Sequence, residues 1–577
     1  MSNLLKNNTQ TLLNYIDKMT RENYISKINY ILDIYQQITS EEKYYGISKQ
    51  KYYSIFYTNY QIAYKITEET FKSFNKNINN TLFFEPSVGL GIFVVTYLDY
   101  IRKHFNNYDI NKIINNIYIS DIDKQVIPIT QRLVNKFISL YFNDEVKLNH
   151  KNIHIGNTII NDDFSIKSVE NLFGKEIKFD FVLSNPPYKN IKVSKKDSIE
   201  IEYQNYKMYS SKLSKSIKKQ LALQEGTINL YKVFFELILM KYTKEDASIG
   251  IIIPYTILSD KSTIKFRKKL LEMAHIEKIY YIEEKSNQFK NITQAMCFFA
   301  LKKTKTNNKE IQLINFENSN YQYKIYPKLL SKINTNYSFH KIEKESYKIL
   351  EKIHKFKKLK NFLDIKNLRG ELDLTIDKKY LTVQKTKYML LQGKNIKKWN
   401  YMDNSIYVNE NFLESKNSEK FEHIKKERII CQQISNISSK QRLKFTKIPK
   451  DIIVANSCNY IISYSISMDY LLGIFNSYLF DWRFRLFNSN NHISNYELDD
   501  LPICICDNKN KKNIIKYVKD ILNGNDSKII DLNLLIFTIY GLNPKEIKII
   551  LSNYNDIYIK KILEKIEGIK IDEKTFI

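Results

Sequence analysis

The sequence predicts an α/β protein: a mostly parallel sheet covered by helices, then an α+β region, then a helical C-terminal segment. Three observations carry this. Between about residues 51 and 305, short apolar runs alternate with helical stretches; from 306 to 509 the alternation is lost; from 510 to 577 an apolar helical period returns. The apolar runs are Leu82–Phe84, Ile117–Ile119, Ile153–Ile155, Phe179–Leu183, Ile249–Ile253, Ile279–Ile282 and Ala295–Leu301, with helical stretches such as Lys124–Leu140 and Asn229–Lys241 between most of them. Crossover helices between buried strands imply parallel pairing. The last two runs have no clear helix between them, so a hairpin is expected at the sheet edge.

Ahead of this lies a polar helical segment, residues 1–50, whose apolar positions are Leu12, Leu13, Tyr15, Ile16 and Met19. The organisation expected is therefore 1–50, a sheet domain 51–305, a third region 306–509 and a helical segment 510–577. Residues 189–226, rich in Lys, Ser and Tyr, lack an apolar period and read as a long, mobile, basic loop.

Composition narrows the class. No run approaches the roughly 18 apolar residues a membrane span needs, and the N-terminus has no signal-peptide core. Five scattered cysteines do not make a disulfide framework. A reducing cytoplasm, with no membrane partner, is expected. The net charge of +28 suits a polyanion partner. A Lys-, Asn- and Ile-rich coding bias would also raise it, so charge alone does not decide.

Chemistry enters at the strand ends, where ligands of open parallel sheets bind. After the run Phe179–Leu183 comes Ser184-Asn185-Pro186-Pro187-Tyr188. Asn185 offers a side-chain carbonyl and Pro186 a backbone carbonyl, two acceptors for the two hydrogens of one amino group. Pro187 stiffens the turn, and Tyr188 offers a flat face to a planar ring. After the first run comes Glu85-Pro86-Ser87-Val88-Gly89-Leu90-Gly91, whose glycines let a backbone approach a ligand. The second run ends at Asp121, placed to take ribose hydroxyls, with Asp123 two residues on. The eight histidines and five cysteines show no metal-ligand spacing, and no metal is expected.

From about residue 53 to 505 these motifs, in this order, resemble the gamma-class DNA adenine-N6 methyltransferases of bacterial type II restriction–modification systems. The resemblance implies a Rossmann-like class I domain with a seven-stranded, mostly parallel sheet, and S-adenosyl-L-methionine as cofactor. It implies cofactor contacts at Thr58, Glu85, Gly89, Gly91, Asp121 and Asn157. It places Asn185 to Tyr188 at the target amine and Tyr188 with Phe289 against the target base. The chain has Thr58-Asn59 where the family has Thr-Pro, and Gly156-Asn157 where the family has an acid. Leu391–Ile396 and Leu471–Ser477 resemble parts of a target-recognition domain.

The resemblance further implies a duplex-DNA substrate, a base flipped from the helix, and a cognate restriction endonuclease encoded separately. Hydrogen bonds from the adenine amine to Asn185 and Pro186 would stabilise charge developing on nitrogen. Methyltransferases that carry the same Asn-Pro-Pro-Tyr signature and act on RNA or on protein glutamine are the alternative. A catalytically dead DNA-binding subunit is another.

Overall fold

The computed structural model describes residues 9–44, 47–50, 56–191, 200–284, 294–305, 310–334, 336–415, 418–436, 438–488 and 491–568. The chain divides into two compact units, Met1–Lys328 with Asn336–Phe339, and Leu329–Thr335 with His340–Ile577.

The first unit is built on one mixed sheet. Its strands are β1 (Phe83–Glu85), β2 (Ile117–Asp121), β3 (Ile153–Ile155), β4 (Phe179–Ser184), β5 (Thr243–Pro254), β6 (Ala274–Ile282), β7 (Met296–Lys303), β8 (Ile311–Asn315) and β9 (Gln322–Ile325). Their order is 9-8-6-7-5-4-1-2-3. Pairs β1–β2, β1–β4, β2–β3, β4–β5 and β6–β8 are parallel. The hairpin expected from the last two apolar runs exists as the antiparallel pair β6–β7. It is not at the edge: β7 also pairs antiparallel with β5, and β8 and β9 extend the sheet beyond β6. The sheet thus has nine strands rather than the seven expected.

Strand β4 is buried at all six positions, as a central strand covered on both faces requires. Helices α1 (Thr9–Asp17), α2 (Tyr24–Glu41), α3 (Tyr60–Phe71), α4 (Ile92–His104) and α5 (Val126–Phe142) contribute to one continuous apolar core. The N-terminal segment joins that core through Leu12, Ile16 and Met19, and the Tyr24 hydroxyl donates to the Leu133 carbonyl of α5 at 2.8 Å. Gly250 lets β5 lie close under α3, since a Cβ there would stand 2.4 Å from Thr70 Oγ1. Asn59 stands where the resemblance has proline because it caps α3: its side chain accepts from the Ile62 N–H at 2.9 Å.

Residues 189–226 depart from the long loop expected. They contain helix α6 (Glu200–Gln220), whose buried face is Ser210, Leu213 and Ile217. Among its described side chains, residues 207–220, only Leu213 and Ile217 are buried apolar ones, too few to register as a period. Helices α7 (Leu230–Leu237) and α8 (Ile264–Met273) follow.

The second unit is β-rich, then helical. Strands β10 (Ile365–Arg369), β14 (Arg428–Gln432), β15 (Phe445–Ile448) and β17 (Cys458–Ser463) form an antiparallel sheet ordered 10-17-14-15. Strands β11 (Leu381–Thr382), β12 (Tyr388–Leu391), β13 (Tyr407–Val408) and β16 (Ile452–Val454) form a second sheet, ordered 11-13-12-16. Glu371 and Arg428 form a buried ion pair, and Glu371 also accepts from the Val454 N–H at 2.9 Å. Helix α9 (Met468–Phe475) is almost wholly buried, and its Gly473 admits Val518 of α10 (Asn508–Leu522): a Cβ would lie 2.9 Å from Val518 Cγ2. Helices α11 (Lys528–Ile539), α12 (Pro544–Leu551) and α13 (Ile557–Gly568) complete the unit.

Among the described residues no helix is long and apolar enough to cross a membrane. No group of three or more His, Cys, Asp or Glu among them could hold a metal.

Candidate functional site

The strand order reverses between β1 and β4, and the crevice outside their carboxyl ends is where such sheets bind ligands. A cleft of about 330 Å³ opens there. Glu85 and Gly89 line it from the β1 side, Asp121 from β2, Asn157 from beyond β3, and Asn185, Pro186, Pro187 and Tyr188 from β4. Thr58, just ahead of α3, completes the lining drawn from the expected residues. Gly91 is not in the lining. Its left-handed φ of +79° starts α4, and a Cβ there would meet Thr130 Cγ2 at 2.8 Å. Phe289 and the motif around it lie outside the described residues.

Gly89 holds the loop after β1 in a conformation other residues resist. Its φ is +51°, and a Cβ would stand 2.8 Å from the Tyr57 ring. The Gly89 N–H donates to Asp121 Oδ2 at 2.8 Å, and the Asp123 N–H to Asp121 Oδ1 at 2.9 Å. Burial pushes the Asp121 carboxyl up to about 6, against the opposing pull of these main-chain donors. Asp123 is engaged differently: its carboxylate meets the buried Lys49 ammonium at 2.9 Å. Lys49 and Asp123 are therefore a structural clamp, which sequence spacing does not reveal.

Glu85 is buried, and burial together with nearby Asp121 pushes its carboxyl well above the ordinary range. Its Oε2 has no hydrogen-bond partner among the described residues. A buried acid lacking one partner on the wall of a cleft is suited to a ligand cation or N–H donor. Asn157 Oδ1 accepts from the main-chain N–H groups of Ile159 at 2.8 Å and Ile160 at 3.2 Å, so its carbonyl closes a turn.

Around Asn185 the bonds determine which way the amide faces. Its Nδ2 donates to the Phe56 carbonyl at 2.8 Å and to Thr58 Oγ1 at 2.9 Å. The Phe56 carbonyl can only accept, so the nitrogen must lie on that side and Oδ1 on the other. Oδ1 accepts from the Tyr188 hydroxyl, which also reaches the Ile252 carbonyl at 3.3 Å. A carbonyl oxygen has a second lone pair, so an amine can still be received there. The Tyr188 ring lies nearly parallel to Phe56, 14° between planes and 6.1 Å between centroids, and edge-on to Tyr231 at 6.4 Å.

Sequence reasoning missed three contributors to the cleft. Tyr57 covers Gly89. Tyr209 of α6 reaches the lining. Lys189 is the only cationic side chain among the described lining residues, and burial pushes its ammonium down to about 8. Its position next to Tyr188 was the available signal.

Comparison with known proteins agrees with this architecture. Residues 115–289 match the Eco57I restriction-modification methylase family, and residues 388–503 match the TaqI-like C-terminal specificity domain. No curated protein matches by sequence. Among solved structures, the Type IIL restriction-modification enzyme MmeI in complex with DNA is 12% identical with a TM-score of 0.50, covering 93% of this chain and 81% of that one. The type IIG restriction endonuclease BpuSI is 13% identical with a TM-score of 0.40, covering 88% of this chain and 68% of that one. A class I S-adenosylmethionine-dependent methyltransferase from Listeria monocytogenes is 15% identical with a TM-score of 0.35, covering 56% and 81%. The likeness is one of fold and rests on the first. By its two family matches the chain carries an Eco57I-type restriction-modification methylase segment followed by a TaqI-like C-terminal specificity domain.

Proposed function

We propose that this chain transfers a methyl group from S-adenosyl-L-methionine to the N6 amine of an adenine swung out of duplex DNA. The observation that carries the reading is the oriented amide of Asn185: its nitrogen is tied to Phe56 and Thr58, which leaves its oxygen, on a residue that lines the cleft together with Pro186, to receive an amine. When bound, the cofactor supplies a methyl group already activated on a sulfonium. Asp121 offers a carboxylate to ribose hydroxyls, and the partner-poor oxygen of Glu85 suits the cofactor's cationic end. Asn185 and Pro186 accept hydrogen bonds from the two amine hydrogens, favour the lone pair localised on nitrogen over its conjugation with the ring, and stabilise the positive charge that develops on nitrogen. Tyr188 and Phe289 are assigned to stacking on the base.

The specificity half and the net charge of +28 support duplex DNA over a protein substrate. In a restriction–modification setting the product would shield cellular DNA from a separately encoded endonuclease.

The test is to incubate the protein with cofactor and unmethylated DNA, digest, and separate the nucleosides by mass spectrometry. N6-methyladenine is expected. Methyl label on cytosine, on RNA or on protein instead, or on nothing, would overturn the assignment.

A further inference from the structure

Helix α6, absent from every motif considered above, has a composition and position that call for a ligand. Over residues 207–220 it carries Lys207, Lys212, Lys215, Lys218 and Lys219 and no acidic residue. All five lysines are exposed, while Ser210, Leu213 and Ile217 turn inward. At 100° per residue, Lys212, Lys215 and Lys219 fall on one outward strip, which Met208, 58% exposed, begins one turn earlier. A purely cationic face gains nothing from folding, because like charges one turn apart repel.

The helix also forms a wall of the methyl-transfer cleft. Tyr209, Ser210 and Leu213 line that cleft. Its C-terminal end is fastened: Ser216 Oγ donates to the Phe164 carbonyl at 2.7 Å, and Gln220 Oε1 accepts from the Ile166 N–H at 2.9 Å. The lysine strip is therefore held at a defined place beside the cleft.

We propose that α6 is a phosphate-binding helix that grips the strand of duplex DNA from which the target base is extruded. The proposal rests on the methyltransferase reading of the cleft and adds to it a surface for the sugar-phosphate backbone. The dimensions agree. Residues 207–219 span about 18 Å of helix, and one DNA strand presents a phosphate about every 3.4 Å of axis, so roughly five fall within reach. Extrusion leaves the strand without stacking on that nucleotide, and cations along the flanking phosphates hold it at the cleft mouth.

The test uses the full chain with Lys212, Lys215 and Lys219 all changed to Gln, beside a version with all three changed to Arg. Three quantities are measured: binding to a duplex of arbitrary sequence across salt concentrations, methyl transfer against concentration of unmethylated DNA, and cofactor binding by calorimetry. The Gln variant should lose about 2 to 3 from the log–log salt slope, at about 0.9 per lost phosphate contact. Its KM for DNA should rise at least tenfold, with cofactor affinity unchanged and kcat at saturating DNA within twofold. The Arg variant should behave as the unaltered chain. A Gln variant with the original slope and KM overturns the proposal. If the unaltered chain binds DNA yet methylates none, the methyltransferase reading fails by itself, and the slope comparison still decides the helix.

Discussion

The side-chain nitrogen of Asn185 donates to the hydroxyl of Thr58 at 2.9 Å, joining residues 127 positions apart. The resemblance assigns Thr58 to the cofactor; in the structure its hydroxyl holds the amide that the proposed chemistry would use. Asn185→Ala should lower methyl transfer on the order of 100-fold or more while cofactor and DNA binding persist, because its bond strengthens as the amine becomes positive. Thr58→Val should lower kcat by roughly three- to tenfold, the worth of one neutral hydrogen bond, and Thr58→Ser should restore it. If Thr58→Val instead weakens cofactor binding and spares kcat, the orienting role is wrong.

Gly89 makes a second prediction. A methyl group there meets both a left-handed φ of +51° and the Tyr57 ring at 2.8 Å. Gly89→Ala should cost at least about 1 kcal/mol of stability and weaken cofactor binding as the loop shifts. Pairing it with Tyr57→Ala should recover the steric part and leave the backbone part. Equal losses in the single and double variants would show that the ring contact carries no strain.

Asp121 gives a pH dependence. Its folded value of about 6 lies above the ordinary 3.8. The folded state therefore holds the proton more tightly than the unfolded chain. This carboxyl's contribution to folding is greatest below about 4 and is lost as pH rises through about 6. Cofactor affinity runs the other way, since ribose hydroxyls are best received by the ionised form. Calorimetric titration should show affinity falling as pH drops below about 6, and Asp121→Asn should remove the inflection. Asp121→Ala should weaken binding by roughly 1.5–3 kcal/mol. Unchanged affinity would shift the ribose role elsewhere.

In the second unit, Arg428 and Glu371 are paired with both side chains wholly buried. Arg428→Met strands a buried carboxylate and should destabilise this unit by about 3–5 kcal/mol. Arg428→Met with Glu371→Leu should recover much of that loss. Denaturant melting followed by the two tryptophans, both in this unit, reads the difference. A double variant as unstable as the single would mean that the pair is not the source.

The parts legible in sequence were those written in adjacent residues. Asn185 to Tyr188, the Gly89 loop and Asp121 each sit at the end of a short buried strand, where the apolar run and the polar residue after it are contiguous. What escaped depended on distance or on weak patterning. Lys49 reaches Asp123 from another part of the chain, and nothing local predicts it. Among the described side chains of α6, residues 207–220, the buried apolar anchors are Leu213 and Ile217, so its lysines made it read as loop. Strands β8 and β9 are short and flanked by polar residues; the pairing of β8 to β6 and of β9 to β8, rather than their own composition, makes them part of the sheet.

The missing side chain of Gly473 bears on how specificity could be exchanged between related enzymes. Val518 and Ile514 of α10 fill the space where a Cβ would stand, at 2.9 and 3.1 Å. A graft that replaced only residues 388–503 would bring in a foreign α9 beneath a resident α10, and any residue larger than glycine at position 473 would wedge them apart. The natural donor fragment for a chimaera therefore runs on through the terminal helices. Hybrids cut before α10 that bring a larger residue to position 473 should melt earlier than hybrids carrying the donor's own terminal helices.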